Sequence, residues 1–159
     1  MVVVTTAVDG ERGGCLVGFH SQCGIEPERY AVWLSKANHT YRLALRSAYL
    51  GIHFLTDDDH DLARLFGTVS GDDTDKFADV ECAEGPDGVP LLAGCAHRFV
   101  LRRRTLLDDG SDHVCFTGDI LASGPPAAFT PLRLSAVRDL DAGHGADERP
   151  SPPTERAEE

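Results

Sequence analysis

Lysine is almost missing from this chain: among 15 basic residues only Lys36 and Lys76 are lysines. Acidic residues number 26, and the formal net charge is −11. That balance excludes nucleic acid as an expected partner, because a phosphate backbone is met by clustered Lys and Arg. The one basic run, Arg102-Arg103-Arg104, would alternate faces on a strand and reads as a solvated edge. No apolar stretch approaches the ~20 residues of a membrane span, so no membrane partner is expected. Met1-Val-Val-Val-Thr-Thr carries no basic start or cleavage site of a signal peptide, which makes a cytoplasmic location the expectation. Five cysteines contain no Cys-x-x-Cys and read as reduced, mostly buried thiols. No Gly-x-Gly-x-x-Gly opens a helix, against a Rossmann domain, and no Gly-x-Ser-x-Gly elbow points to a serine hydrolase. No metal is expected. Cys95-Ala-His97 lacks a second pair at zinc spacing, and the acidic run 57–61 suits a first helical turn.

What is present is one domain's worth of strand patterning, with 42% hydrophobic residues, enough for a core. Residues 2–6 read as a strand, Asp9-Gly10 as a turn, and residues 13–19 as the return strand with Cys15, Val17 and Phe19 on one face. Residues 30–34 are apolar throughout and predict a strand buried on both sides. Asn38 can cap a helix over about 39–48. A strand follows at 51–55, then a helix capped by Thr56 or Asp57 and ended by Gly67. Residues 70–76 are polar and turn-rich, a candidate mobile loop. Asp87-Gly88 marks a turn, and residues 95–105 and 113–123 form the arms of a long hairpin. Residues 132–137 suit a last edge strand or a dimer contact. The expected class is mainly β, a small barrel with two short helices, over residues 1–138. Residues 139–159 are acidic and rich in Gly and Pro, and predict a disordered tail.

Two groups of residues suggest chemistry. Ser35, Lys36, Asn38 and Thr40 put hydroxyls, an amide and an ammonium beside a helix start, a donor set suited to phosphate. Val17, Gly18, Phe19, His20 and Ser21 offer a ledge for a flat ring, with Gly18 admitting close backbone approach. Together they suggest an FMN site. The plain alternatives are a capping Asn38, a strand-ending Ser35 and a core Phe19.

Three motifs resemble the flavin reductase-like family of flavin-binding split β-barrels. The run 17–23 with Glu26-Pro27 and then Ser35-Lys36-Ala37-Asn38-His39-Thr40 is similar to the family's flavin segment. Ser111-Asp112-His113 through Asp119-Ile120 looks like its Gly-Asp-His strand, with Ser111 replacing the usual Gly. The stretch from Phe66-Gly67 to Asp75-Lys76-Phe77 looks like its loop after the second helix. The resemblance implies a split barrel and a homodimer. It implies FMN, with FAD as the second option, and reduction by NADH or NADPH, with a monooxygenase as a candidate recipient of reduced flavin. It places His113 near the nicotinamide or flavin as the catalytic candidate, and Phe66, Lys76 and Phe77 on a covering loop. A turn-end His113 held by Asp112 and a solvated Lys76 are the structural alternatives. Two rival readings of function stay open: an FMN-binding module without reductase turnover, and a barrel that has lost flavin.

Overall fold

A computed structural model describes residues 1–123 and 128–145. The strands β1 (Val2–Val8) and β2 (Glu11–Val17) turn through Asp9-Gly10, both at positive φ. Then come β3 (His20–Ile25), β4 (Glu28–Ser35), α1 (His39–Ala44), β5 (Tyr49–Phe54) and α2 (His60–Thr68). A small hairpin of β6 (Cys82–Glu84) and β7 (Pro90–Leu92) precedes the long hairpin β8 (Arg98–Leu107) and β9 (His113–Ser123). Seven strands form one antiparallel sheet in the order β2-β1-β5-β8-β9-β4-β3. Its two outer strands, β2 and β3, are consecutive in the chain and joined only by Gly18-Phe19. Such a sheet must curl on itself, and its seam is the split of the barrel.

Alternation on β1 divides the core. Val2 and Val4 face the barrel interior with Val32, Leu34, Leu50, Ile52, Leu101 and Phe116. Val3 faces the other way, into a second cluster of Leu55, Ala63, Phe66, Phe77, Leu92, Leu132 and Val137. Each buried Val, Leu, Ile or Phe here contributes about 1.5–3 kcal/mol, so the second cluster anchors α2 and the small hairpin to the barrel.

Several expectations are corrected. α1 stops at Ala44, well short of 48. Trp33 is 36% exposed, so the strand 30–34 is not covered on both sides. Phe19 is 61% exposed: β2 ends at Val17, and the crossing through Gly18 breaks the alternation that would have put Phe19 with Cys15. Neither Thr56 nor Asp57 caps α2. The Asp59 carboxylate instead accepts from the Thr56 N–H and hydroxyl at 2.7 and 2.8 Å, and the helix runs on to Thr68. Residues 132–137 are no edge strand; they hold a 3-10 turn at Leu134–Ala136, with Leu132 and Val137 buried beneath it. Residues 139–145, the first part of the predicted tail, lie against the domain. Leu140 packs on the second cluster, and the Gly143 N–H donates to the Gly67 carbonyl at 3.2 Å. Residues 146–159, where the rest of that expectation falls, lie outside the described residues.

Candidate flavin site at the barrel seam

Where the sheet closes, the ends of β2 and β4 leave a cavity of about 270 Å³. Its walls are Cys15 to Phe19 from β2 and the crossing, Trp33 to Ser35 from β4, Asn38, Phe66 and Gly67 of α2, and His113 at the start of β9. Ala142 and His144 complete it from the far C-terminal side. An open hollow of about 390 Å³ adjoins it and shares Phe19, Trp33 and His113. The inner cavity alone sits near the lower end of ligand-pocket volumes, and the hollow extends it outward.

The sequence-predicted residues divide cleanly. Val17, Gly18, Phe19, Ser35, Asn38, Phe66 and His113 meet in this one cavity. His20 does not line it. Its Nδ1 lies 2.7 Å from the Tyr30 hydroxyl, and its ring sits among Tyr30 and Phe54. Burial, helped by the positive N-terminus, lowers the His20 pKa. Ser21 is exposed and donates to the Gln22 carbonyl. Lys36 turns to the hairpin loop and pairs with Asp108 at 2.6 Å. Thr40 is 1% exposed, inside the fold. Lys76 and Phe77 are also interior rather than on a covering loop. Lys76 donates to the carbonyls of Gly14 and Phe66 at 3.0 and 3.3 Å, and Phe77 packs edge-on to Phe66. Burial lowers the Lys76 pKa and pushes the Cys15 thiol up to about 11, with Lys76 and the Thr40 hydroxyl pulling Cys15 partly back. Cys15 is therefore a protonated wall of the cavity, not a nucleophile.

The cavity has an apolar ledge and a polar end. Phe19 and Trp33 expose aromatic surface at its mouth, and Phe19 meets the His113 ring edge-on with centroids 5.2 Å apart. At Gly18 an added Cβ would meet nothing nearer than the Met1 side chain at 3.6 Å, so packing within the fold does not demand glycine there. Its small size instead leaves the ledge open beside Phe19. At the other end are the Ser35 hydroxyl, which accepts from the Ala37 N–H at 3.3 Å, and the Asn38 amide, whose Oδ1 accepts from the Thr40 N–H at 2.9 Å. That bond turns the Asn38 NH₂ outward as a donor. α1 is only six residues long, so its macrodipole adds little and the side chains carry the polar end. His113 stands between inner cavity and outer hollow, its Nδ1 3.0 Å from Asp112. A flat heteroaromatic ring with a phosphate-bearing arm fits this donor and wall set.

Sequence reasoning missed Cys15, Leu16, Trp33, Leu34 and Gly67, which are the strand and helix neighbours of residues it chose. Period-2 alternation on β4 could have found Trp33 beside Ser35. Ala142 and His144 had no such signal.

The fold and site together define a small, curled antiparallel β-barrel domain with a cleft at its seam. The chain belongs to the flavin reductase like domain family, whose model matches residues 1–132. A probable flavin reductase of Rhizobium meliloti is 26% identical over 123 residues, 76% of this chain and 38% of that protein. A ferric-chelate reductase (NAD(P)H) of Archaeoglobus fulgidus is 26% identical over 120 residues, 75% of this chain and 71% of its own. An FMN-binding protein of Thermus thermophilus, solved with bound p-hydroxybenzaldehyde, superposes with a TM-score of 0.71 at 25% identity. That match covers 77% of this chain and 69% of the solved one. The chain thus spans well under half of the Rhizobium relative.

Proposed function

We propose that this chain binds FMN in the seam cavity and reduces it with NADH or NADPH. The observation that carries this reading is the convergence of ledge, polar end and His113 on one cavity in a chain of this family. The relatives named flavin reductase and NAD(P)H ferric-chelate reductase support the reaction class, and the Thermus protein supports FMN. When bound, the flavin supplies the hydride acceptor. The protein's part is to bind, orient and exclude water. Gly18 and Phe19 would support the ring, Trp33 and Phe66 would line its enclosure, and the Ser35 hydroxyl and Asn38 NH₂ would be the donors available to the phosphate. Asp112 fixes the His113 imidazole at the boundary between cavity and hollow, where a nicotinamide would enter. There His113 would orient the donor and would be the side chain within reach to pass a proton near the reacting ring.

Anaerobic stopped-flow mixing of the FMN-loaded protein with NADH, then NADPH, tests this. Saturable bleaching of the flavin band is expected, with the faster donor naming the co-substrate. His113→Ala should slow bleaching about tenfold, ~1.4 kcal/mol on the barrier, while FMN affinity changes less. A flavin that stays oxidised with both donors would leave a binding module, and a His113→Ala protein changed only in thermal stability would make His113 structural.

The same reading includes a homodimer. Trp33, Cys115 and Leu107 are cross-strand partners on β4, β9 and β8, and Trp33 and Leu107 are exposed on that row beside Phe19. Joining this face to a second copy would cover the hollow that opens at Phe19 and His113. Sedimentation equilibrium should give twice the chain mass, and Leu107→Glu should shift it to monomer; a monomeric wild type would remove the dimer.

A further inference from the structure

The family match ends at residue 132, yet the cavity is finished by residues beyond it. The chain leaves the 3-10 turn at Leu134–Ala136 and anchors Leu140 on the second core cluster. It then runs against the end of α2. There the Gly143 N–H caps the Gly67 carbonyl at 3.2 Å, and the backbones are so close that a Cβ on Gly143 would lie 2.8 Å from the Thr68 carbonyl oxygen. No side chain fits that position without undocking the segment. One residue further on, His144 is half-buried in the cavity wall. Its Nε2 lies 3.3 Å from Nδ2 of Asn38, and its Nδ1 lies 3.2 Å from the Gly145 carbonyl. Because Asn38 Oδ1 is committed to the Thr40 N–H, its NH₂ faces His144. The imidazole must then accept at Nε2 and donate from Nδ1. His144 thereby fixes the donor that the polar end of the cavity presents, and Ala142 closes the wall beside it.

We infer that residues 140–144 are a wall of the flavin site, and that His144 is a positioning residue that holds Asn38 and retains the flavin. This rests on the flavin reading above. The strap crosses one side of the cavity, so its main effect falls on escape rather than entry, and affinity changes through the dissociation rate.

The test uses the full-length chain and binding alone. Trp33, the only tryptophan, lines the cavity, so its quenching on titration with FMN and with FAD reads affinity, and recovery of flavin fluorescence on dilution reads release. Gly143→Val and His144→Ala should each raise the dissociation rate about tenfold, with Kd rising in parallel and the association rate changed less. His144→Gln, whose carbonyl can accept from the Asn38 NH₂, should recover part of the loss. If Gly143→Val also lowers the melting temperature of the flavin-free protein, His144→Ala decides. Wild type that binds flavin while His144→Ala releases it at the same rate or more slowly overturns the strap alone. Wild type that binds neither FMN nor FAD overturns the flavin reading and the strap with it.

Discussion

Lys76→Ala should lower the free energy of unfolding by about 3 kcal/mol, read as a shifted urea midpoint. Lys76 sits among aspartates in sequence, which reads as a solvated loop, yet it is only 5% exposed. Its ammonium reaches the Gly14 carbonyl on β2 and the Phe66 carbonyl in the last turn of α2, with the Phe66 ring 5.8 Å away. The helix C-terminus supplies the partial negative charge that a buried ammonium needs, because the last-turn carbonyls have no partner within the helix. Gly14 makes the reach possible: a Cβ there would lie 2.6 Å from the Phe66 ring. Truncation to alanine empties the stem's volume and leaves two carbonyls without their donor. Lys76→Met keeps most of the volume and removes a buried charge, so it should cost less, about 1–2 kcal/mol. Because burial lowers the Lys76 pKa, the unfolded chain holds this proton more tightly than the folded one. Stability should therefore rise as pH climbs through the lowered folded value toward 10.5, and this rise should vanish in Lys76→Met. Weakened FMN binding by Lys76→Ala at unchanged stability would instead return Lys76 to a covering loop.

The contrast between Lys36 and Lys76 shows how far one-dimensional patterning reaches. Turns were legible because Asp-Gly pairs occupy the positive-φ positions that tight turns need, as at Asp9-Gly10 and Asp87-Gly88. The Asn38 cap was legible because its side-chain bond to Thr40 is local. That Val17, Ser35 and Asn38 share the inner end of one cavity followed from them, since these residues lie where strands end and a helix begins. β3 was not legible: its sequence His-Ser-Gln-Cys-Gly-Ile is mostly exposed at the sheet edge, and its pairing with β4 supplies the order that its own pattern lacks. The fate of Lys76 depends on Gly14, 62 residues away, and no periodicity encodes that. The strap is harder still. It docks through a glycine backbone, one leucine and one histidine in a stretch whose composition otherwise resembles a linker.

Acid should weaken the fold through His53, and this effect should reach the cavity wall. His53 on β5 is fully buried, and both ring nitrogens are engaged. Nδ1 donates to the Val3 carbonyl at 3.2 Å, and Nε2 accepts from the Leu92 N–H at 3.1 Å. The neutral ring thus ties the β6–β7 hairpin to the barrel. A proton at Nε2 would face the Leu92 N–H, and the Arg98 guanidinium nearby adds a like charge. Burial, more than Arg98, holds the pKa down at about 4, against 6.5 when exposed; the Val3 bond pulls the other way. The unfolded chain binds this proton below pH 6.5 and the folded chain only near 4, so His53 stabilises fully above 6.5 and loses that contribution as pH falls to about 4. The whole difference is about 3 kcal/mol, most of it gone by pH 4.5. Denaturation of wild type and His53→Leu at pH 7.5 and 4.5 isolates it: the variant starts less stable, having lost two hydrogen bonds, but should lose about 2–3 kcal/mol less on acidification. Equal losses in both proteins would show that other groups carry the acid response. Leu92 shares its cluster with Phe66, the cavity wall on α2, so His53 protonation should also speed flavin release in wild type at pH 4.5 more than in His53→Leu.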